Sequence, residues 1–238
     1  MSIKEDIGAA PANNVGGGSI AGLGVGSQGI VGAAGGTTTT LGRIGTGFMY
    51  ADFQGQINYT TPNFSGFEGT VGIVQPITSY NQGTSGAVSG NQKSPAYEGV
   101  IRYSFAANDV TGKLWAEAKG QKAYGLASGS ETAWVAGLGA NVKAGGFDVT
   151  GYYYSGEGAG TTAFLMDGFN VAGEKRDSDG GYIQALYTLP TKTKVGLSWG
   201  ESNLDRRNEV AGNLVKSNEM FTVGAYHPLT KHVRSEEH

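Results

Sequence analysis

The sequence predicts an all-β fold: an antiparallel up-and-down transmembrane β-barrel, of which this chain supplies about nine to ten strands as an open curved sheet. Three observations predict it. Apolar and polar residues alternate with a period of two in hairpin after hairpin. Short and long connections alternate along the chain. Aromatic residues recur beside the short turns.

The alternation is clearest over Ala51–Pro76. Phe53, Gly55, Ile57, Tyr59 and Thr61 alternate with Gln54, Gln56, Asn58 and Thr60. After a Pro62–Gly66 cluster, Phe67, Gly69, Val71 and Ile73 alternate with Glu68, Thr70, Gly72 and Val74. This is the period of a strand with one apolar face, and the proline, asparagine, serine and glycine between read as a hairpin turn. Folding about Phe64 sets Tyr59 opposite Gly69, Ile57 opposite Val71 and Gln56 opposite Gly72. A tyrosine then fills the space that a strand glycine leaves.

Residues 1–46 are rich in glycine and threonine and hold no sustained period. Gly24–Gly29 fits GxGxxG literally, but neither a strand before it nor a helix after it supports a dinucleotide site. From 47 to 234 the chain reads as a meander of strands. After the polar loop Ile77–Ala96, Tyr97, Gly99, Ile101, Tyr103 and Phe105 share one face. The return strand puts Val110, Gly112, Leu114, Ala116 and Ala118 on that face. A loop is expected over Gly120–Ser130. Next come Trp134, Ala136, Leu138, Ala140 and Val142, a turn at Ala144–Gly146, and Phe147, Val149, Gly151 and Tyr153. A long loop, Ser155–Gly180, leads to Ile183, Ala185, Tyr187 and Leu189, a Pro190–Thr193 turn, and Val195, Leu197 and Trp199. Loop Ser202–Ser217 precedes a strand from Glu219 to His227. A further strand begins at His232–Arg234, and 235–238 is a tail.

Two registers are open for the hairpin at Asn108. Centring between Asn108 and Asp109 opposes Glu98 to Lys119 and Arg102 to Trp115, both favourable pairs. Centring one residue earlier opposes Arg102 to Lys113 and Glu98 to Glu117, which costs stability. The first is preferred.

Composition narrows the function. Charged residues are only 16% and the net charge is −3, which argues against nucleic acid as a partner. There is no cysteine, hence no disulfide and no thiolate metal site. No apolar run is long enough for a membrane-spanning helix, and the first residues lack the apolar core of a signal peptide. Alternating strands cross a membrane without such a run.

The connections near 64, 108, 145, 191 and 229 take about three to five residues, and those after 76, 119, 154 and 201 about ten to twenty-five. A membrane barrel places short turns at one end and long loops at the other; a sandwich has no reason to. Tyr59, Tyr103, Tyr187 and Tyr226 precede short turns, and Phe67 and Phe147 follow them. They form the expected aromatic girdle at one interface.

Catalysis finds little support. His227, His232 and His238 cluster at the C-terminal end, without a placed carboxylate partner. No nucleophile-elbow motif or carboxylate pair stands out, and Glu174–Asp179 lacks the spacing of a calcium loop. The chain reads as not an enzyme, with no cofactor and no metal site.

Two motifs carry a family resemblance. R-x-x-x-G-F-x-Y followed by I-N-Y-T-T-P-N-F-S-G-F, over Arg43–Phe67, resembles the Gram-negative general porins. G-A-Y-H-P-L-T-K-H, over Gly224–His232, is similar to a strand-and-turn of the same family. The resemblance covers most of Leu41–His232. It implies a trimeric outer-membrane channel, usually of sixteen strands, that passes small hydrophilic solutes and ions without chemistry. It implies outer-membrane lipid as surroundings, and residues 1–46 as the inward-folded constriction loop and its neighbourhood. That segment carries no acid between Asp6 and Asp52, where the family sets carboxylates against wall arginines. The strand count makes this chain a fragment of a longer porin, lacking its first strands and its closing strand.

Pore function rests on width and field. The inward faces supply Glu68, Glu98, Arg102, Lys113, Glu117, Lys119, Asp148 and Lys194 as candidate pore-lining residues, with Arg102, Lys113 and Lys119 as a basic wall. The alternative is a secreted or surface all-β binding protein or adhesin that uses its long loops. The two differ in one respect: a barrel leaves its apolar stripe uncovered, whereas a sandwich buries it against a second sheet.

Overall fold

The structure is a computed structural model that describes residues 47–49, 54–81, 86–87, 89–161, 163–205, 214, 216–229 and 234–237. The proposed loop over 1–46, its GxGxxG run, His232 and His238 lie outside the described residues. The strands are β1 (Gln56–Thr60), β2 (Phe67–Val74), β3 (Tyr80–Asn81), β4 (Gly86–Ala87), β5 (Ala96–Ala107), β6 (Val110–Leu126), β7 (Gly129–Ala144), β8 (Phe147–Glu157), β9 (Asp177–Thr188), β10 (Lys194–Leu204), β11 (Ser217–Pro228) and β12 (Arg234–Glu237). Apart from β3 and β4, which pair with each other, they form one ten-stranded sheet whose order is the chain order. Every neighbouring pair is antiparallel. This is the up-and-down all-β meander read from the alternation.

At the β5–β6 hairpin Glu98 faces Lys119 and Arg102 faces Trp115, the preferred register. Asn108 turns the chain at φ 51°, a left-handed conformation that asparagine tolerates.

The first hairpin differs from expectation. Phe64 and Phe67 exchange backbone hydrogen bonds of 2.8 and 2.9 Å around a two-residue turn, Ser65 and Gly66, with φ of 51° and 92°. Such a mirror-image turn suits the twist of the flanking strands. Pro62 has no N–H to give, and the strand carries one extra residue before Thr61 N meets Gly69 O at 2.8 Å. Tyr59 therefore lies opposite Val71, Ile57 opposite Ile73 and Gln56 opposite Val74. The two-residue shift keeps each side chain on its face.

The expected loop at Gly120–Ser130 is instead two strand ends. β6 runs to Leu126 and β7 starts at Gly129. Gly125, at φ 71°, sits where Gly90 N donates to Tyr124 O at 2.7 Å. An added Cβ there would meet the Gly90 backbone. The remaining long connections, after β2, β8 and β10, all leave from the same end as this turn. The tenth strand also differs: Ser235–Glu237, expected as a tail, pair with Ala225–His227.

The buried cluster lies on one face of the sheet. It joins Trp115, Val135, Tyr152, Tyr154 and Tyr182 of the strands to Phe164, Leu165 and Phe169 of the long connection and to Phe48 and Met49. That face is called inner below.

Candidate functional site

The two faces of the sheet differ in chemistry. Ile57 is 81% exposed and Leu138 65%, and Ile101, Phe221, Val223, Val71 and Tyr153 are exposed beside them. All lie on the outer face, with no second sheet over it among the described residues. A water-soluble sandwich buries such a stripe, so the adhesin reading loses its structural basis.

The aromatic residues expected beside the short turns pair on this outer face. The Phe67 ring stacks on Tyr103, centroids 4.4 Å apart, and Phe147 lies 4.6 Å from Tyr187. Both are directly opposed pairs in the sheet. Tyr59 stands exposed nearby on β1. Tyr226 does not join them. It is opposite Lys194, two residues from Gly224, and only 6% exposed. Its parity in β11 is that of Thr222, whereas Phe221 and Val223 face out. The apolar stripe of β11 runs through the odd positions, and nearness to a turn says nothing about parity.

The inner face is polar and ordered in rows. Ser104, Lys113, Asn141, Thr150, Gln184, Ser198 and Thr222 form one continuous row across seven strands. Asn141 ties it together: its Nδ2 donates to Asp148 at 2.6 Å and to Thr150 at 2.8 Å. The next row holds Arg102, Trp115, Gly139, Tyr152 and Tyr182. Here the aromatic-over-glycine device operates, on the inner face: an added Cβ at Gly139 would collide with the Trp115 ring, and one at Gly137 with Tyr152.

The candidate pore-lining residues fall on this face, and most are paired. Arg102 bridges Glu68 at 3.2 Å and donates to Thr70 at 3.1 Å. Lys119 lies 3.6 Å from Glu98 and donates to Gln54 at 2.6 Å. Glu117 accepts the Tyr152 hydroxyl at 2.7 Å, and Asp148 pairs with Lys143 at 3.1 Å. Lys113 faces Ser104 and Asn141, and Lys194 stands exposed at the short-turn end. The structure brings Glu68 to Arg102 and Glu98 to Lys119. It sets Asp148 and Lys194 apart from them on β8 and β10. The expected basic wall of Arg102, Lys113 and Lys119 is thus a charge-paired wall, because antiparallel register puts acids of β2 and β5 opposite bases of β5 and β6.

Sequence reasoning missed the roof over this wall. The connection 158–176 folds onto the inner face. Arg176, 3% exposed, donates to the carbonyls of Asp167 and Phe169 at 2.7 and 2.9 Å. Ser79 Oγ reaches Leu165 O at 3.1 Å. Phe164 covers Lys119, whose ammonium lies 5.4 Å from the ring centroid. The apolar patch Phe164–Met166 was the one available signal. The charged run beside it is used within the fold: Glu174 accepts from Asn170 at 2.8 Å and Lys175 bridges Glu157 at 2.7 Å. From the other side, Gly47 N donates to Ser202 at 2.8 Å, and Phe48 meets Tyr182 edge-on at 6.3 Å.

A family model for Gram-negative porins matches residues 3–236. No curated protein matches the chain. The outer membrane channel DcaP of Acinetobacter baumannii shares the fold at a TM-score of 0.62 and 16% identity, over 82% of this chain and 56% of that one. The anion-selective porin from Comamonas acidovorans aligns at a TM-score of 0.51 and 16% identity, over 79% of this chain and 49% of that one. The chain thus spans about half the length of these structures.

Proposed function

The chain belongs to the Gram-negative porin family, and from that membership we propose that the full-length protein is a passive outer-membrane diffusion channel for small hydrophilic solutes and ions. One observation carries the proposal: a ten-stranded antiparallel meander exposes its apolar face and keeps its polar face inside. In water the exposed stripe is an aggregation hazard, whereas in lipid it is the required surface. For the strands between β1 and β12 the backbone pairing along the meander meets the other demand of the bilayer, a partner for each N–H and C=O; further strands of the full-length barrel pair the outer edges of β1 and β12.

In this reading outer-membrane lipid covers Ile57, Ile101, Leu138 and Phe221, and solutes pass along the inner rows. Glu68, Glu98, Arg102, Lys113, Glu117, Lys119, Asp148 and Lys194 line the passage. Tyr59, Phe67, Tyr103, Phe147 and Tyr187 form the interfacial girdle. Residues 1–46 supply the inward-folded segment, supported by the seating of Gly47 and Phe48 against Ser202 and Tyr182. The assembled protein is a homotrimer, as the family pattern implies. No step of chemistry is involved. The test is the conductance of the purified full-length protein in planar bilayers: stepwise, ohmic current increments are expected, and a bilayer that stays silent at saturating protein would overturn the proposal.

A further inference from the structure

We propose that the outer face carries a docking site for an anionic membrane lipid with a phosphate headgroup, at the loop end of β6, where Lys93 and Lys122 meet at Tyr124. The assignment rests on the lipid-facing reading of this face and adds the class of lipid. The Lys122 ammonium lies 5.4 Å from the centroid of the Tyr124 ring, and the Lys93 ammonium 5.7 Å. Both lysines are exposed.

Charge is the first argument. Lys122 and Tyr124 occupy outer positions of β6, opposite Thr132 and Ser130 of β7, so their strand neighbours supply no acid. None of the salt bridges among the described residues includes either lysine. A tyrosine ring attracts a cation only modestly at an exposed site, and two like charges held at one ring call for an anion between them. Their meeting is built into the backbone. Tyr124 N donates to Gln92 Oε1 and the Tyr124 hydroxyl to Ser94 Oγ, each at 3.3 Å. Gln92 Nε2 donates in turn to Gly90 O at 2.6 Å. The segment 90–94 is thus fastened along β6, with Lys93 between the two contacts. A headgroup that docks here has little backbone left to order.

The surroundings select a lipid over free phosphate. One row toward the apolar band, Tyr97, Gly120 and Trp134 lie side by side on the outer face, with the two rings 59% and 40% exposed. Such amphipathic rings mark a membrane interface, and Lys122, two residues beyond, stands at headgroup depth. Gly120 keeps the surface low between the rings, and the face continues apolar past Ile101 and Leu138, where an acyl chain can lie. The basic pair is also local. At the same end of β9, β10 and β11 the outer positions hold Asp179, Glu201 and Glu219, which repel a phosphate.

The experiment is native mass spectrometry of the full-length protein in detergent with equal amounts of dimyristoyl phosphatidate and dimyristoyl phosphatidylcholine, which share their chains and differ in net headgroup charge. Phosphatidate is expected to bind about thirtyfold more tightly, about fivefold for each lysine. Lys93→Ala with Lys122→Ala should bring the two lipids level, whereas Lys192→Asn, in a short turn at the other end, should keep the preference. If the double variant refolds poorly, Lys93→Gln with Lys122→Gln keeps the stems, and the same levelling is expected. Gly120→Leu should weaken phosphatidate several-fold without touching the lysines; a Cβ there meets only Ala133 O, at 3.7 Å, so the fold accepts it. Equal binding of the two lipids, or a preference that survives loss of both lysines, overturns the site. Displacement of phosphatidate by chainless glycerol phosphate overturns the lipid as its ligand. Planar-bilayer conductance is read on the same protein. Conductance without lipid preference overturns the site and leaves the channel standing; the preference with a silent bilayer supports the site and overturns the channel.

Discussion

The inner wall has two halves built on different chemistry. On β2, β5 and β6 the inner positions hold Glu68, Glu98, Arg102, Lys113, Glu117 and Lys119, and the charges meet across strands. On β8 to β10, away from the short-turn end, they hold Tyr152, Tyr154, Tyr182, Thr150, Gln184 and Ser198. The first half is bound by ion pairs, the second by hydroxyls, amides and rings laid over glycine. Paired charges set a field that changes over a few ångströms, whereas the uncharged half sets width and wetness with almost no field. A solute therefore meets electrostatics on one side of the passage and shape on the other.

The largest expected effect breaks the ring-over-glycine packing where the two halves meet, on β6 and β7. Gly139→Val would push a side chain into the Trp115 ring and destabilise the fold by about 1–3 kcal/mol through overpacking. Gly151→Val is its control, because a Cβ at Gly151 meets nothing within 4 Å. Urea unfolding of the two variants should separate them clearly, and equal midpoints would contradict the packing role.

A smaller effect sharpens the charged half. Arg102→Met removes the partner of Glu68 and leaves a carboxylate facing the passage. The potassium-over-chloride permeability ratio should rise about two- to fivefold in reversal-potential measurements. Ser198→Ala, in the uncharged half, should leave that ratio where it was. The smallest effect is on salt. The difference between Arg102→Met and the parent should shrink between 0.1 M and 1 M salt, as the screening length falls from about 10 Å to about 3 Å. A difference that persists would place the effect in pore width rather than field.

The same contrast governs how much was legible in the sequence. Inside the membrane-facing band alternation is imposed from both sides, so the strands around Ile101, Leu138 and Leu197 and the Asn108 register could be read directly. Beyond that band both faces meet polar surroundings and the signal disappears. Lys122 stands on the outer face of β6, where a lipid-facing residue would be apolar, and the strand ends there look like a loop. The register of β1 on β2 depends on an extra residue beside Pro62, which period alone does not reveal. Tyr226 was misassigned because a turn fixes height along a strand and not the face. The roof formed by 158–176 depends on contacts between distant segments, such as Ser79 with Leu165, for which a local pattern has no term.

The most direct test of the account is which solvent touches each face. The 238 residues include no cysteine, so a cysteine introduced singly at Leu138 or Lys113 can carry a nitroxide label in full-length protein that is cysteine-free elsewhere, reconstituted in liposomes. The account predicts that the label at Leu138 is relaxed by oxygen dissolved in lipid and shielded from an aqueous nickel complex, and that the label at Lys113 shows the reverse. A label at Leu138 that meets neither reagent would mean that protein covers the outer face, and would contradict the account.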